Sequence, residues 1–277
     1  MTIEGFAPAK VNLSLHVTGQ RADGYHLLDS LVVFASVGDR LWLDKTDTMS
    51  MEISGPFANG VPTDARNLVW QAAELAGVKG HIQLEKNLPH GAGLGGGSAD
   101  AAALLRSLFG QLVDDGIGLE GALSLGADVP VCIGSIPQRM HGIGDLLQAV
   151  QPMPRCHIVL VNPSVAVPTG AVFEGLEIKD NPAMDAFDGF EGVAALVGWL
   201  QSQRNDLEAP ARAVAPVIGQ VLDALDDALI ARMSGSGSTC YGIYPDSAAA
   251  DSAAARIRRA YNNWWVVSTQ TAGQTPS

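Results

Sequence analysis

The sequence predicts an α+β protein of two domains, and three observations carry that prediction. The opening part of the chain is rich in strands, with apolar and polar residues alternating at 10–17. A glycine run at 91–97 feeds directly into an Ala- and Leu-rich helical stretch. Beyond residue 157 the segments run strand, helices, strand, strand, helix, strand. At 277 residues the chain has the length for one large or two modest domains. Its most linker-like stretch is Gln151-Pro152-Met153-Pro154. The expected boundary therefore divides a first domain, 1–150, from a second, 151–277.

Taken in order, Lys10-Val11-Asn12-Leu13-Ser14-Leu15-His16-Val17 alternates as a strand. Residues 27–37 and 40–45 are apolar and β-prone, and Gly38-Asp39 between them reads as a hairpin turn. Residues 48–53 continue the sheet until Gly55-Pro56. Residues 67–76 carry apolar positions three and four apart, with Gly77 as the helix stop. A strand at 80–86 leads into the glycine run, and 99–109 reads as a helix with Ser98 as its N-cap. A short helix near 119–125 precedes Gly126-Ala127-Asp128-Val129-Pro130-Val131.

In the second domain, a short buried strand at 157–161 ends at Asn162-Pro163. Helices follow at 193–203 and at 206–229, the latter broken at Pro216. Strands at 231–234 and 239–244 flank Gly235-Ser236-Gly237-Ser238, and a helix at 247–261 leads to a last strand at 264–269. This is the order of a ferredoxin-like α/β sandwich. Residues 272–277 are polar and aperiodic and read as disordered.

A composition of 47% hydrophobic and 17% charged residues describes a soluble globular protein. No apolar run approaches the roughly 18–20 residues that cross a membrane. Met1-Thr2-Ile3-Glu4 lacks the basic and apolar segments of a signal peptide. Cys132, Cys156 and Cys240 are scattered and odd in number, as small buried residues in a reducing cytoplasm would be. Neither they nor the six histidines have zinc spacing. A net charge of −12 argues against DNA, RNA or an anionic membrane as partner. An anionic ligand must then be drawn by backbone amides, a helix dipole and a few placed cations.

Leu88-Pro89-His90-Gly91-Ala92-Gly93-Leu94-Gly95-Gly96-Gly97-Ser98-Ala99-Asp100 is the stretch with the clearest chemistry. Each glycine costs about 0.5–1 kcal/mol relative to Ala in regular structure, so the run answers to unusual backbone angles or to a ligand touching bare backbone. Glycines running into a helix start gather N–H groups and the positive dipole end around one point, as phosphate binding requires. No Gly-Lys-Ser or Gly-Lys-Thr follows, which excludes a Walker A loop. Gly91-x-Gly93-x-x-Gly96 fits the dinucleotide fingerprint, with Asp114 and Asp115 downstream. Against that fit, Leu88-Pro89-His90 stands where the fingerprint has an immediate turn. The loop says phosphate without saying which chemistry.

Lys10, taken singly, reads as a solvated strand end, and Asp128 as a turn residue or cap. Together beside a phosphate loop they suggest phosphoryl transfer to an alcohol: the carboxylate accepts the hydroxyl proton and the lysine holds that carboxylate ionised. Arg21-Ala22-Asp23-Gly24-Tyr25-His26 is a tight turn that either packs Tyr25 on the sheet edge or presents Tyr25 and His26 to a flat base. Phe173 reads as core or as an opposite wall for that base.

Pro8-Ala9-Lys10-Val11-Asn12-Leu13, the glycine loop and Met233-Ser234-Gly235-Ser236-Gly237 resemble the three motifs of the GHMP kinases. Arg21 to His26, Gly93 to Ser98, Leu125-Gly126-Ala127-Asp128-Val129-Pro130 and Asn205-Asp206-Leu207-Glu208 resemble the branch whose acceptor alcohol is a cytidine diphosphate-linked methylerythritol. The resemblance implies a ribosomal-protein-S5-like first domain and a ferredoxin-like second one. It implies that Lys10 and Asp128 are the catalytic pair. Pro89, Gly91, Gly93, Leu94, Gly95, Gly96, Gly97, Ser98 and Ala99 would hold the ATP phosphates, with Asn67 near the adenosine. Asn12 would be a polar contact to the substrate, Tyr25 and His26 would hold the cytosine, and Phe173 would lie on its other face. The implied reaction moves the ATP γ-phosphate to the substrate's 2-hydroxyl, with Mg²⁺ expected and its ligands unassigned, in a cytoplasmic monomer or weak homodimer of the non-mevalonate isoprenoid pathway.

The family loop commonly ends Gly-Ser-Ser-Asn, where this chain has Gly97-Ser98-Ala99-Asp100. Ala99 removes a hydroxyl, and Asp100 adds an anion that either repels phosphate or helps hold magnesium. The alternatives are a sister kinase for mevalonate or homoserine, which carry no base, a dinucleotide-binding oxidoreductase, and a non-catalytic nucleotide-binding module.

Overall fold

A computed structural model describes residues 2–110 and 117–272 of the chain. Asp114, Asp115 and residues 273–277 of the expected disordered tail lie outside the described residues. Ala272, placed in that tail from sequence, donates its N–H to the Phe34 carbonyl at 2.6 Å.

Strand β1 (Thr2–Gln20) contains the alternating stretch, but its middle, residues 7–17, is buried at every position. Lys10, Asn12, Ser14 and His16 are therefore as enclosed as their apolar neighbours and must find partners inside the protein. Strand β2 (His26–Lys45) runs unbroken through Gly38 and Asp39, so the expected hairpin turn is not formed. The glycine answers to close approach: a Cβ there would stand 2.1 Å from the Ala7 carbonyl oxygen. Asp39 is fully buried.

The chain divides into two compact units. The first comprises Met1–Lys10, Val37–His90 and Gly95–Ser135; the second comprises Val11–Ser36, Gly91–Leu94 and Ile136–Ser277. Both long strands pass from one to the other. Residues 11–36, 91–94 and 136–150 thus cluster with the second unit although they precede residue 151.

In the first unit, β3 (Ser50–Ser54) pairs in parallel with β4 (Gly80–Glu85), which pairs antiparallel with Arg40–Lys45 of β2. Between these strands Asn67 caps α1 (Leu68–Leu75) by accepting from the Val69 N–H. Helix α2 (Gly96–Phe109) packs on α1 and on α4 (Val129–Gly134), with α3 (Gly118–Leu125) alongside. Ser98 is not the N-cap of α2. The helix starts at Gly96, and Gly95 takes the cap position with φ 62° and no side-chain cap. The first-turn amides of this helix have no intrahelical partner.

In the second unit, Leu28–Val32 of β2 pair with β5 (Gln138–Gly142), and β5 pairs with β6 (Leu146–Ala149); the sequence reading assigned neither of these short strands. The chain continues through β7 (His157–Asn162), α5 (Thr169–Glu174), α6 (Val193–Ser202), α7 (Glu208–Val214) and α8 (Val217–Ala224). It then forms β8 (Ile230–Met233), β9 (Cys240–Tyr244), α9 (Ser247–Ala260) and β10 (Trp265–Gln270). The break at Pro216 falls where the ring removes a helical donor. The last four strands form an antiparallel sheet in the order β10-β7-β9-β8, the arrangement expected of the ferredoxin-like order. Val159, Val161, Leu207, Ile218, Tyr244 and Ile257 lie in its apolar core.

Candidate active site

In the first unit, β1 carries Lys10 into the interior and the turn before α4 carries Asp128 to it. Lys10 Nζ lies 2.6 Å from Asp128 Oδ2, with side-chain exposures of 6% and 34%. Asp128 stands at the N-cap position of α4 but makes no side-chain cap bond, so its carboxylate serves the lysine rather than the helix. Lys10 is buried, so it is not a solvated strand end, whereas Asp128 is a turn residue whose carboxylate meets it. A partly exposed carboxylate held by a buried ammonium is placed to accept a proton from a hydroxyl.

The start of α2 belongs to the same unit. A Cβ on Gly95 would stand 3.3 Å from Lys10 Cε, so the glycine lets the loop backbone pass the lysine closely. The Ala99 N–H donates to the Gly95 carbonyl at 2.8 Å, and Ala99 itself is buried. Asp100 turns one carboxylate oxygen onto a buried ammonium and leaves the other, Oδ1, buried without a partner. It is buried with Oδ2 2.6 Å from Lys86 Nζ, and Lys86 also donates to Asp39 Oδ2. Asn67 spends both ends of its amide locally, on the Val69 N–H and on the Pro62 carbonyl. Pro89 is buried beside the exposed His90.

The second unit holds Gly91 to Leu94, Asn12, Tyr25, His26 and Phe173. Gly93, at φ +72°, lies against the loop after β8: a Cβ would meet the Ser234 carbonyl oxygen at 2.2 Å. The Ser234 hydroxyl donates to the Gly93 carbonyl at 2.9 Å and accepts from the Asn12 N–H at 3.0 Å. Asn12 donates to Ser30 Oγ at 2.7 Å, and its Oδ1 is buried with no partner. His26 stacks on Phe173 with ring centroids 4.7 Å apart. Its Nε2 is buried without a partner, and burial, then the charge of Lys179, hold the imidazole below its ordinary pKa of 6.5. Tyr25 is 59% exposed. An unpaired imidazole nitrogen beside an aromatic face and an exposed tyrosine offers a flat polar ring both stacking and a hydrogen bond.

Sequence reasoning missed Asp39, Lys86, Ser30 and Ser234 as supports of these residues. The polar positions inside an apolar strand were the signal available, because a strand buried on both faces can keep a Lys, Asn or Ser only with a partner.

Residues 67–150 match the model of the GHMP kinases N terminal domain, and residues 183–263 match that of the GHMP kinases C terminal. The chain belongs to the GHMP kinases, with their two-domain α+β fold. It is 54% identical over 272 residues to 4-diphosphocytidyl-2-C-methyl-D-erythritol kinase of Jannaschia sp. (strain CCS1), with 96% of both chains covered. A protein of the same name from Dinoroseobacter shibae is also 54% identical over 272 residues, covering 96% of this chain and 94% of that one. Among solved structures, 4-(cytidine 5'-diphospho)-2C-methyl-D-erythritol kinase is similar with a TM-score of 0.74 at 33% identity, covering 98% of this chain and all of that one.

Proposed function

We propose that this enzyme transfers the γ-phosphate of ATP to the 2-hydroxyl of 4-diphosphocytidyl-2-C-methyl-D-erythritol, giving the 2-phosphate and ADP in the non-mevalonate route to isoprenoids. The contact between Lys10 and Asp128 carries the mechanistic reading. Asp128 takes the hydroxyl proton as the oxygen attacks phosphorus. The bond from the γ-phosphorus to the bridging oxygen breaks, and ADP leaves with that electron pair. Lys10 holds the Asp128 carboxylate in place and offsets charge on the transferred group. The amides at the start of α2 and the helix dipole hold the triphosphate against a net charge of −12.

On the acceptor side, the unpartnered Nε2 of His26 and the ring of Phe173 support a cytosine subsite, with Tyr25 as its exposed platform. The free Oδ1 of Asn12 supports a hydrogen bond from the sugar-alcohol part. Mevalonate and homoserine have no base to meet these rings. Among the described residues no three His, Cys, Asp or Glu side chains gather as a metal cage. Mg²⁺ needs only one or two carboxylates beside phosphate oxygens, and an ion entering on the triphosphate would neutralise charge on the transferred group.

We further propose a domain boundary at 150/151, which the family-matched stretches 67–150 and 183–263 flank. The same proposal makes the enzyme a cytoplasmic monomer or weak homodimer without nucleic-acid or membrane partners. No helix among the described residues is long and apolar enough to cross a membrane. The deciding experiment is a coupled ADP-release assay with Mg²⁺ on the cytidyl substrate, mevalonate and homoserine. Turnover of the first alone is expected, and turnover of either of the others in its place overturns the assignment.

A further inference from the structure

A buried ion cluster stands at the root of the phosphate loop. Lys86, at the end of β4, donates to Asp39 Oδ2 and to Asp100 Oδ2, and the three side chains are 4%, 0% and 3% exposed. The other oxygen of Asp39 accepts the backbone N–H groups of Asn87 at 2.5 Å and Leu88 at 2.8 Å, the residues that enter the loop. Asp100 is the fifth residue of α2, the helix that leaves it. Gly96 opens that helix directly over the cluster, where a Cβ would be 3.6 Å from Lys86 Nζ and 3.8 Å from Asp39 Oδ2. One ammonium thus ties the backbone entering the loop to the helix leaving it.

We infer that Lys86, Asp39 and Asp100 are positioning residues that clasp the two ends of the phosphate loop and hold its amides in the arrangement that receives the ATP triphosphate. The inference rests on the reading of this loop as the ATP site. Three features set the cluster apart from ordinary core support. It buries three ionisable side chains, with Lys86 partnering both carboxylates and Asp100 Oδ1 left without a partner. It bonds to loop backbone rather than to side chains alone. And it holds two carboxylates to one ammonium beneath a site meant for an anion. Burial pushes the Asp100 carboxyl upward, the Lys86 charge opposes that shift and the Asp39 charge adds to it. The buried thiol of Cys132 also faces this region from α4. The upward direction favours the protonated form of Asp100, in which the cluster is neutral and sets no negative charge under the phosphates. Holding donors in place before the ligand arrives is how a glycine-rich segment, costly to order, becomes a binding site.

The test replaces Asp100, since that leaves the Lys86–Asp39 pair intact. Asp100→Ala should weaken ATP binding by about tenfold, read by calorimetry with ATP alone and as a raised KM for ATP. The KM for the cytidyl substrate should stay unchanged. Asp100→Asn keeps a carbonyl oxygen for Lys86 without the charge and should restore wild-type ATP affinity. If Asp100→Ala does not fold by circular dichroism, Asp100→Ser carries the same comparison. Wild-type affinity in the folded Ala or Ser variant overturns the clasp, and so does an Asn variant as weak as Ala. Failure of the unaltered protein to bind ATP would instead overturn the reading of the loop itself.

Discussion

Asp128 occupies the N-cap position of α4 yet gives its carboxylate to Lys10 Nζ, 2.6 Å away and 118 positions earlier in the chain. A helix cap is ordinarily worth about 1 kcal/mol, so a residue of capping type that leaves its helix uncapped forgoes a stability gain. The proposed role of the pair in proton transfer is open to direct test.

Asp128→Asn keeps the shape of the side chain and removes its basicity. Turnover should fall by roughly a hundredfold to ten-thousandfold, the range of a general base, with calorimetric ATP affinity retained. Unchanged turnover would remove Asp128 from the catalytic step and favour a nucleotide-binding role without chemistry.

The depressed pKa of His26 keeps its imidazole neutral near neutrality. Because the shift is downward, the charged form accumulates only below the ordinary value of 6.5. The KM for the cytidyl substrate should therefore be flat above that pH and rise below it. The rise should be absent in His26→Gln. A rise that persists in that variant belongs to another group.

Phe173→Ala removes the ring against which His26 stacks. An aromatic pair of this kind contributes about 0.5–1.5 kcal/mol, so the KM for the cytidyl substrate should increase roughly two- to tenfold. Tyr25→Ala should raise the same constant sharply. In both variants steady-state kinetics should show the KM for ATP unmoved. A parallel loss of ATP affinity would place these rings outside a base subsite.

Gly38→Ala tests the continuity of β2. The added methyl would meet the Ala7 carbonyl at 2.1 Å, a backbone contact that no rotamer change relieves. Denaturant unfolding should show a loss of about 1–3 kcal/mol, the usual cost of overpacking. A turn at Gly38-Asp39 would instead tolerate the methyl group.

By itself the sequence determined the kinds of element and their order in the ferredoxin-like part, the helix break at Pro216 and the glycine run at 91–97 that leads into a helix. These depend on periodicity, ring chemistry and glycine spacing, which act over a few residues. It also picked out Lys10 and Asp128, because a charge in an apolar strand and an acid between glycine and proline are locally anomalous. The tertiary structure decided that these two touch, that β2 runs straight through Gly38-Asp39, and that Asp100 turns inward to Lys86 and Asp39. A turn and a close-packed strand look alike in a Gly-Asp pair. An acid at a helix start likewise looks the same whether it meets water, a metal or a buried ammonium. Only the elements packed over a residue set its solvation and its partner, and for Asp39 and Lys86 those elements lie 47 positions apart in the chain.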